Sequence, residues 1–232
     1  MYKKKRIAAV ILAGGSGSRM GTAENKVYLP LDGKPVILYA AETFAAHPYV
    51  DELVFVTREE EQAETELLLQ AEMLQKPWRI ITGGASRRDS VYNALTTIHS
   101  DIVLVHDGAR PLVQETDITM CVVYLEEYDG TILARPISKD TPIVRVSRKQ
   151  RPPERLTQIL YAAQTPQCFH TKTLRLCHER HRNNPAITDD SSLLELEGYK
   201  VGPVTTNPYN IKLTTPMDLP LAEAYLRTLM NI

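Results

Sequence analysis

Near the start of the chain, VILAGGSGSRMG (10–21) runs an apolar stretch into Gly14, Gly15, Gly17 and Gly21, and the next side chain able to carry charge is Arg19. A strand that turns through such residues, from Ala13 onward, presents backbone N–H groups to a ligand. Glycine permits the close approach and the positive φ that this needs, and oriented amides make a concave anion site. The spacing does not supply a clean G-x-G-x-x-G fingerprint, and no G-K-[ST] ending follows, so neither a dinucleotide fold nor a P-loop is specified. Two cations are placed instead, Arg19 within the loop and Lys26 in ENKVYLPLDGKP. A guanidinium can clamp two phosphate oxygens and an ammonium adds a compact charge, so together they could offset charge growing on a phosphorus under displacement. Read singly, each could equally be an exposed loop charge. Further along, VHDGARP (105–111) sets Asp107 and Arg110 just after an apolar run, as a ligand-facing pair or as a buried ion pair. Ser90 in GGASRRDSV (83–91) is either a polar contact or the cap of the following helix.

These residues need a frame. Short apolar runs at 7–12, 53–57, 79–82, 102–106, 131–136 and near 199–204 alternate with helical patterns at 35–46, 59–74, 90–97, 115–128, 172–182, 189–197 and 217–230. Several runs are rich in Val, Ile and Leu without strict alternation, as for strands covered on both faces. The alternation predicts an α/β fold, a mostly parallel sheet with helices on both sides, whose ligands sit beyond the carboxyl ends of the strands. One stretch breaks the rhythm: ISKDTPIVRVSRKQRPPER (137–155) is basic, rich in β-branched residues and proline, and reads as a projecting β-arm at about 137–160, either a surface excursion or a dimerisation arm.

Bulk properties narrow the class. The chain has 232 residues, 43% hydrophobic and 24% charged, with a formal net charge of -1, which advertises no broad surface for nucleic acid. No apolar stretch reaches the ~18 residues expected of a membrane span. Cys121, Cys168 and Cys177 fit neither a zinc site nor a C-x-x-C pair and read as reduced thiols of a cytoplasmic protein. The basic start, Lys3 to Arg6, followed by a short apolar run, also resembles the beginning of a secretion signal; no A-x-A site follows it. No cluster of His, Cys and carboxylates suggests a metal held by protein side chains.

The motifs GGASRRDSV, VHDGARP, AQTPQCF (163–169), TDDSSLLE (188–195) and YNIKLTTPMDL (209–219), with the opening loop and Lys26, occur in one order. As a set they make the chain resemble the 2-C-methyl-D-erythritol 4-phosphate cytidylyltransferases from about residue 7 to 226. The resemblance implies a single nucleotidyltransferase domain over 1–232, a three-layer α/β/α fold with a β-arm that joins two subunits, and CTP, a polyol phosphate and Mg²⁺ carried on the triphosphate as ligands. It puts Arg19, Lys26 and Lys212 at the reacting phosphorus. It assigns the nucleotide to Ala13, Gly14, Gly15, Gly17, Gly84, Ala85, Arg87, Ser90 and Gly108, and the second substrate to Asp107, Arg110, Thr141, Arg155, Thr165 and Thr188. Three departures stand out. Thr157 occupies the place where the family has an arginine, for which Arg155 could substitute; ENKVYL replaces the usual P-K-Q-[FY]-L; and Gly108 stands where alanine is frequent, a position expected to tolerate either. A ribitol-5-phosphate cytidylyltransferase, a non-catalytic nucleotide sensor and a dinucleotide-dependent oxidoreductase are the rival readings.

Overall fold

The computed structural model describes residues 1–15, 25–137, 160–182, 189–205 and 208–230, together with the backbone of 144–145 and 154–155. Seven strands make the main sheet: β1 (Ile7–Leu12), β4 (Glu52–Thr57), β5 (Trp78–Thr82), β6 (Ile102–Asp107), β7 (Gly130–Pro136), β10 (Tyr161–His170) and β11 (Val201–Val204), in the order β11-β7-β10-β6-β1-β4-β5. All neighbours run parallel except β10, which is antiparallel to both β6 and β7. The short pairs β2 (Pro30–Leu31) with β3 (Lys34–Pro35), and β8 (Val144–Arg145) with β9 (Glu154–Arg155), are antiparallel. The second pair is the part of the predicted arm that lies among the described residues.

The runs are apolar on both faces because both faces are covered. Ile7, Ala9 and Ile11 of β1 pack with α1 (Val36–Ala46), Leu69 of α2 (Gln62–Glu72) and α4 (Glu115–Tyr124), while Ala8 and Val10 pack on the opposite side with α3 (Arg87–Thr97), α5 (Thr171–Arg180) and α6 (Asp190–Leu196). A third cluster seats α7 (Asp218–Met230) against Leu31, Val36 and Leu213. Each fully buried Phe44, Phe55 and Phe169 contributes roughly 1.5–3 kcal/mol of transfer free energy, so the sheet is a stiff platform.

Register decides what that platform presents. Leu12 pairs with both Val56 and Asp107, and Thr57 with Thr82, so four parallel strands end together along one edge. Residues carried by the turns after β1, β5 and β6 therefore converge there.

Three expectations change. The strand β10 was not legible, because AAQTPQ carries a proline and polar residues. Its irregular register between Ala163 and Gln167 lets Pro166, which has no N–H to give, sit in the ladder. Helix α3 begins at Arg87, not at residue 90, because Ser86 is its cap and accepts from Asp89 N–H at 3.1 Å. The predicted helix 59–74 is a 3₁₀ turn (Glu59–Glu61) followed by α2, which Met73 ends in a left-handed conformation at φ 50°.

Candidate active site

The aligned strand ends open into a cleft of about 420 Å³. Gly14 and Gly15 enter it from the end of β1, and Lys26 from the far end of the glycine-rich segment. Gly84, Ala85, Arg87 and Ser90 form a second wall between β5 and α3. Asp107 closes the floor at the end of β6, and Lys212 arrives from the segment before α7. Residues far apart in sequence thus share one space, and the cations Lys26 and Lys212 face the same cleft.

Each position has a local cause. Ala13 N–H donates to Val56 O at 2.7 Å, and Asn25 Nδ2 donates to Ala13 O at 2.5 Å and to Glu61 Oε2 at 3.1 Å. The two ends of the glycine-rich segment are thereby tied at one point, directly before Lys26. In the second wall, Gly84 N–H donates to Ser90 Oγ at 3.0 Å and Ser90 Oγ donates to Ser86 O at 2.9 Å. Ser90 does not cap α3; it fastens the turn that precedes the cap. A Cβ at Gly84 would run into Asp89, so only glycine lets the turn pack onto the helix. Helix α3 directs its N-terminal end at the cleft, a favourable end for anions. The segment bearing Lys212 is held along its length: Arg110 Nη1 donates to Asn210 O at 2.9 Å, Leu213 N–H to Ala109 O at 2.8 Å, and Asn210 Nδ2 to Thr165 O at 2.8 Å.

Asp107 is the electrostatic hub. Its Oδ2 lies 2.7 Å from Lys212 Nζ and 3.7 Å from Arg110 Nε, and its Oδ1 accepts from Arg87 Nε at 3.2 Å. Burial alone would raise the pKa of its carboxyl, but Arg87 and Lys212 outweigh burial and hold it well below the usual carboxylate range. Arg87 shows the converse. Burial opposes its charge, and Asp190 and Asp107 overcome that and raise its pKa. His106 is fully buried behind this group, and burial pushes its imidazole down to about 4. Its Nε2 lies 3.0 Å from Arg110 O, an atom that can only accept, so the proton sits on Nε2. Nδ1 then accepts from the Thr165 hydroxyl at 3.2 Å, and the same oxygen accepts Asp107 N–H at 3.0 Å. His106 is a neutral structural link.

The remaining sequence-predicted residues divide clearly. Arg110, with 8% of its surface exposed, stands behind Asp107 and outside the cleft lining, so the buried ion pair weighed from the sequence is present. Thr165 also lies behind the floor. Gly108 turns toward the sheet: its N–H donates to Leu12 O at 2.8 Å, and a Cβ would sit 2.9 Å from that oxygen. The expectation that glycine and alanine are equivalent there is corrected, since alanine requires the backbone to shift. Gly17, Arg19, Thr141 and Thr188 lie outside the described residues, and of Arg155 only the backbone is described. Sequence reasoning missed Asn25, Asp190 and His178. Asp190 was inside the quoted TDDSSLLE, but no spacing links it to Arg87, to which it is joined at 2.6 Å across 103 residues.

Among the described residues the site gathers Lys26, Arg87, Arg110 and Lys212 around the carboxylates Asp107 and Asp190. The excess of positive charge suits a polyanion. No group of three His, Cys, Asp or Glu that could hold a metal ion occurs among those residues.

Known proteins share this sequence and fold. Residues 7–228 match the family described as IspD: 2-C-methyl-D-erythritol 4-phosphate cytidylyltransferase. The enzyme of that name from Clostridium tetani is 36% identical over 234 residues, covering 100% of this chain and 95% of its own length. The one from Bacillus mycoides is 39% identical over 227 residues, covering 94% and 96%. The crystal structure of 4-diphosphocytidyl-2C-methyl-D-erythritol synthase from Anaerococcus prevotii superposes with a TM-score of 0.84 at 28% identity, covering 96% of both chains. With its motifs in family order, its sequence matched over nearly the whole length and its fold shared with the Anaerococcus prevotii structure, the chain belongs to the 2-C-methyl-D-erythritol 4-phosphate cytidylyltransferase family.

Proposed function

We propose that this chain joins CTP to 2-C-methyl-D-erythritol 4-phosphate, giving 4-diphosphocytidyl-2-C-methyl-D-erythritol and pyrophosphate. A phosphate oxygen of the polyol attacks the α-phosphorus of CTP, the bond from that phosphorus to the bridging oxygen breaks, and pyrophosphate leaves with the electron pair. The nucleophile is already ionised, so no strong general base is required. The obstacle is repulsion between two anions, and catalysis rests on positioning and charge neutralisation.

The observation that carries the reading is the shared cleft of Lys26, Lys212 and Asp107 at the strand ends. Lys26 in that cleft, with Arg19 as the resemblance assigns it, stabilises the five-coordinate phosphorus, and Lys212, oriented by Asp107 at 2.7 Å, neutralises the approaching phosphate. Gly14, Gly15 and Gly17 offer backbone N–H groups to the triphosphate. The Gly84–Ser90 turn reads the cytosine and Ala13 and Gly108 support it. Asp107, Arg110, Thr141, Arg155, Thr165 and Thr188 shape the polyol phosphate pocket. A divalent ion such as Mg²⁺ fits as a passenger of the nucleotide, since Asp107 is already engaged by three cations; bound to the triphosphate it supplies charge neutralisation there. The chain works as one nucleotidyltransferase domain in a homodimer joined through the arm at 137–160. A cytoplasmic setting suits the buried free thiols of Cys121, Cys168 and Cys177. Among the described residues no helix is long and apolar enough to cross a membrane.

Pyrophosphate release from CTP, followed with 2-C-methyl-D-erythritol 4-phosphate and with ribitol 5-phosphate side by side, tests the assignment. Turnover with the first and not the second is expected; release with neither substrate overturns the reading. Arg19→Ala and Lys26→Ala should each lower kcat about 10²–10³-fold, with a smaller rise in KM for CTP.

A further inference from the structure

Asp190 and His178 have no place in the chemistry above, yet they form a buried pair that ends on a residue of the cleft wall. Both side chains are 1% exposed. His178 Nε2 lies 3.0 Å from Asp190 Oδ1, and Asp190 Oδ2 accepts from Arg87 Nη1 at 2.6 Å. Arg87 Nε continues to Asp107 Oδ1 at 3.2 Å. The ring of Tyr92, from α3, stacks on His178 at 28° with centroids 6.2 Å apart. One guanidinium is thus stretched between two carboxylates, one on the floor of the cleft and one braced by the helix layer beneath it. Among the described residues the Nη2 of Arg87 makes no hydrogen bond, while Arg87 lines the cleft.

We propose that Asp190, braced by His178, is the positioning residue for Arg87, holding that guanidinium so that its remaining amine meets the incoming nucleotide. The inference rests on the assignment of CTP to this cleft. An arginine side chain left to itself samples many rotamers and loses that freedom when it binds. Two fixed acceptors remove the freedom before the ligand arrives, which is preorganisation of a binding contact. Asp107 could not do this alone, because it meets the guanidinium only at Nε through Oδ1, its Oδ2 being taken by Lys212 and Arg110, so the far end of the group needs an acceptor of its own. The second acceptor has to be a buried carboxylate, because a solvated one would itself move. A buried carboxylate in turn needs a further donor, which His178 supplies.

A merely structural role, tying α3 to α6, predicts lost stability and nothing more; positioning predicts a binding defect that requires Arg87. The full-length protein is compared with D190N, R87Q and R87Q/D190N. Affinity for CTP with Mg²⁺ and no polyol phosphate is measured by calorimetry, kcat by pyrophosphate release at saturating CTP, and folding by circular dichroism. D190N is expected to raise the Kd for CTP about tenfold, with kcat changed less than about threefold. R87Q should raise Kd at least as much, and the double variant should bind no worse than R87Q, since Asp190 acts only through the arginine. A folded D190N that binds CTP like the wild type overturns the proposal, and so do effects that multiply in the double variant. Should D190N fail to fold, His178→Leu, which keeps the ion pair and removes its brace, takes its place: a rise in Kd of about threefold supports positioning, and no rise overturns it. A wild-type protein that neither binds CTP nor releases pyrophosphate sinks the functional assignment itself. Normal wild-type turnover with an unaffected D190N sinks only the role of Asp190.

Discussion

His106 should make the protein sensitive to mild acid, by an amount the structure sets. The ring is fully buried, donates from Nε2 to Arg110 O and accepts at Nδ1 from Thr165, so a second proton would force the Thr165 hydroxyl to turn away and would place a desolvated cation beside Arg110. Burial pushes the folded-state pKa from 6.5 down to about 4. The unfolded chain therefore takes up a proton near pH 6.5 that the folded chain refuses until about pH 4. This contribution to stability is present in full above pH 6.5 and is lost as the pH falls from there toward 4. Linkage makes the whole loss about 3 kcal/mol, of which about 2 kcal/mol is gone by pH 5. The test is urea unfolding of wild type and His106→Gln at pH 7 and pH 5, at one fixed protein concentration. Other titrating groups are common to both proteins and cancel in the difference. His106→Gln should be the less stable at pH 7, and its deficit should shrink by about 2 kcal/mol at pH 5. Parallel losses in the two proteins would refute a neutral, buried His106 and the proton-ordered link from Asp107 through Thr165 to Arg110.

Two further outcomes follow from the same geometry. Asp107→Asn keeps the shape of the hub but leaves Arg87, Arg110 and Lys212 without their shared counter-charge, so it should cost about 3–5 kcal/mol in thermal unfolding and depress pyrophosphate release. Ser86→Ala removes the acceptor for Asp89 N–H at the start of α3 and should cost about 1 kcal/mol in urea unfolding, with a rise in KM for CTP as the turn bearing Gly84 loosens.

Much of the frame could be read along the chain, because burial on both faces and turn chemistry are local properties. The apolar runs became β1, β4, β5, β6, β7 and β11 with end shifts of a residue or two. The failures were also physical. The β10 segment has no apolar signature because it is polar where it passes behind the site, with Gln164, Thr165 and Gln167 buried and the first two joined to Asn210 by hydrogen bonds. The start of α3 was misplaced because two serines four residues apart both suit a cap, and only the fold shows which oxygen meets an amide of the helix's first turn.

Residue types and order in the sequence by themselves determined the layered α/β class and the resemblance to one family, and they pointed to polyanion chemistry for the glycine-rich turn and its cations. Only the tertiary structure decided how the charges are connected. Lys212 meets Asp107 across 105 residues and Arg87 meets Asp190 across 103. Separations of that size leave no periodic trace, since such pairs are set by strand order and register. The same folding step buries Asp107, Asp190 and His106, and burial, with the neighbours it imposes, gives each its protonation state and its task.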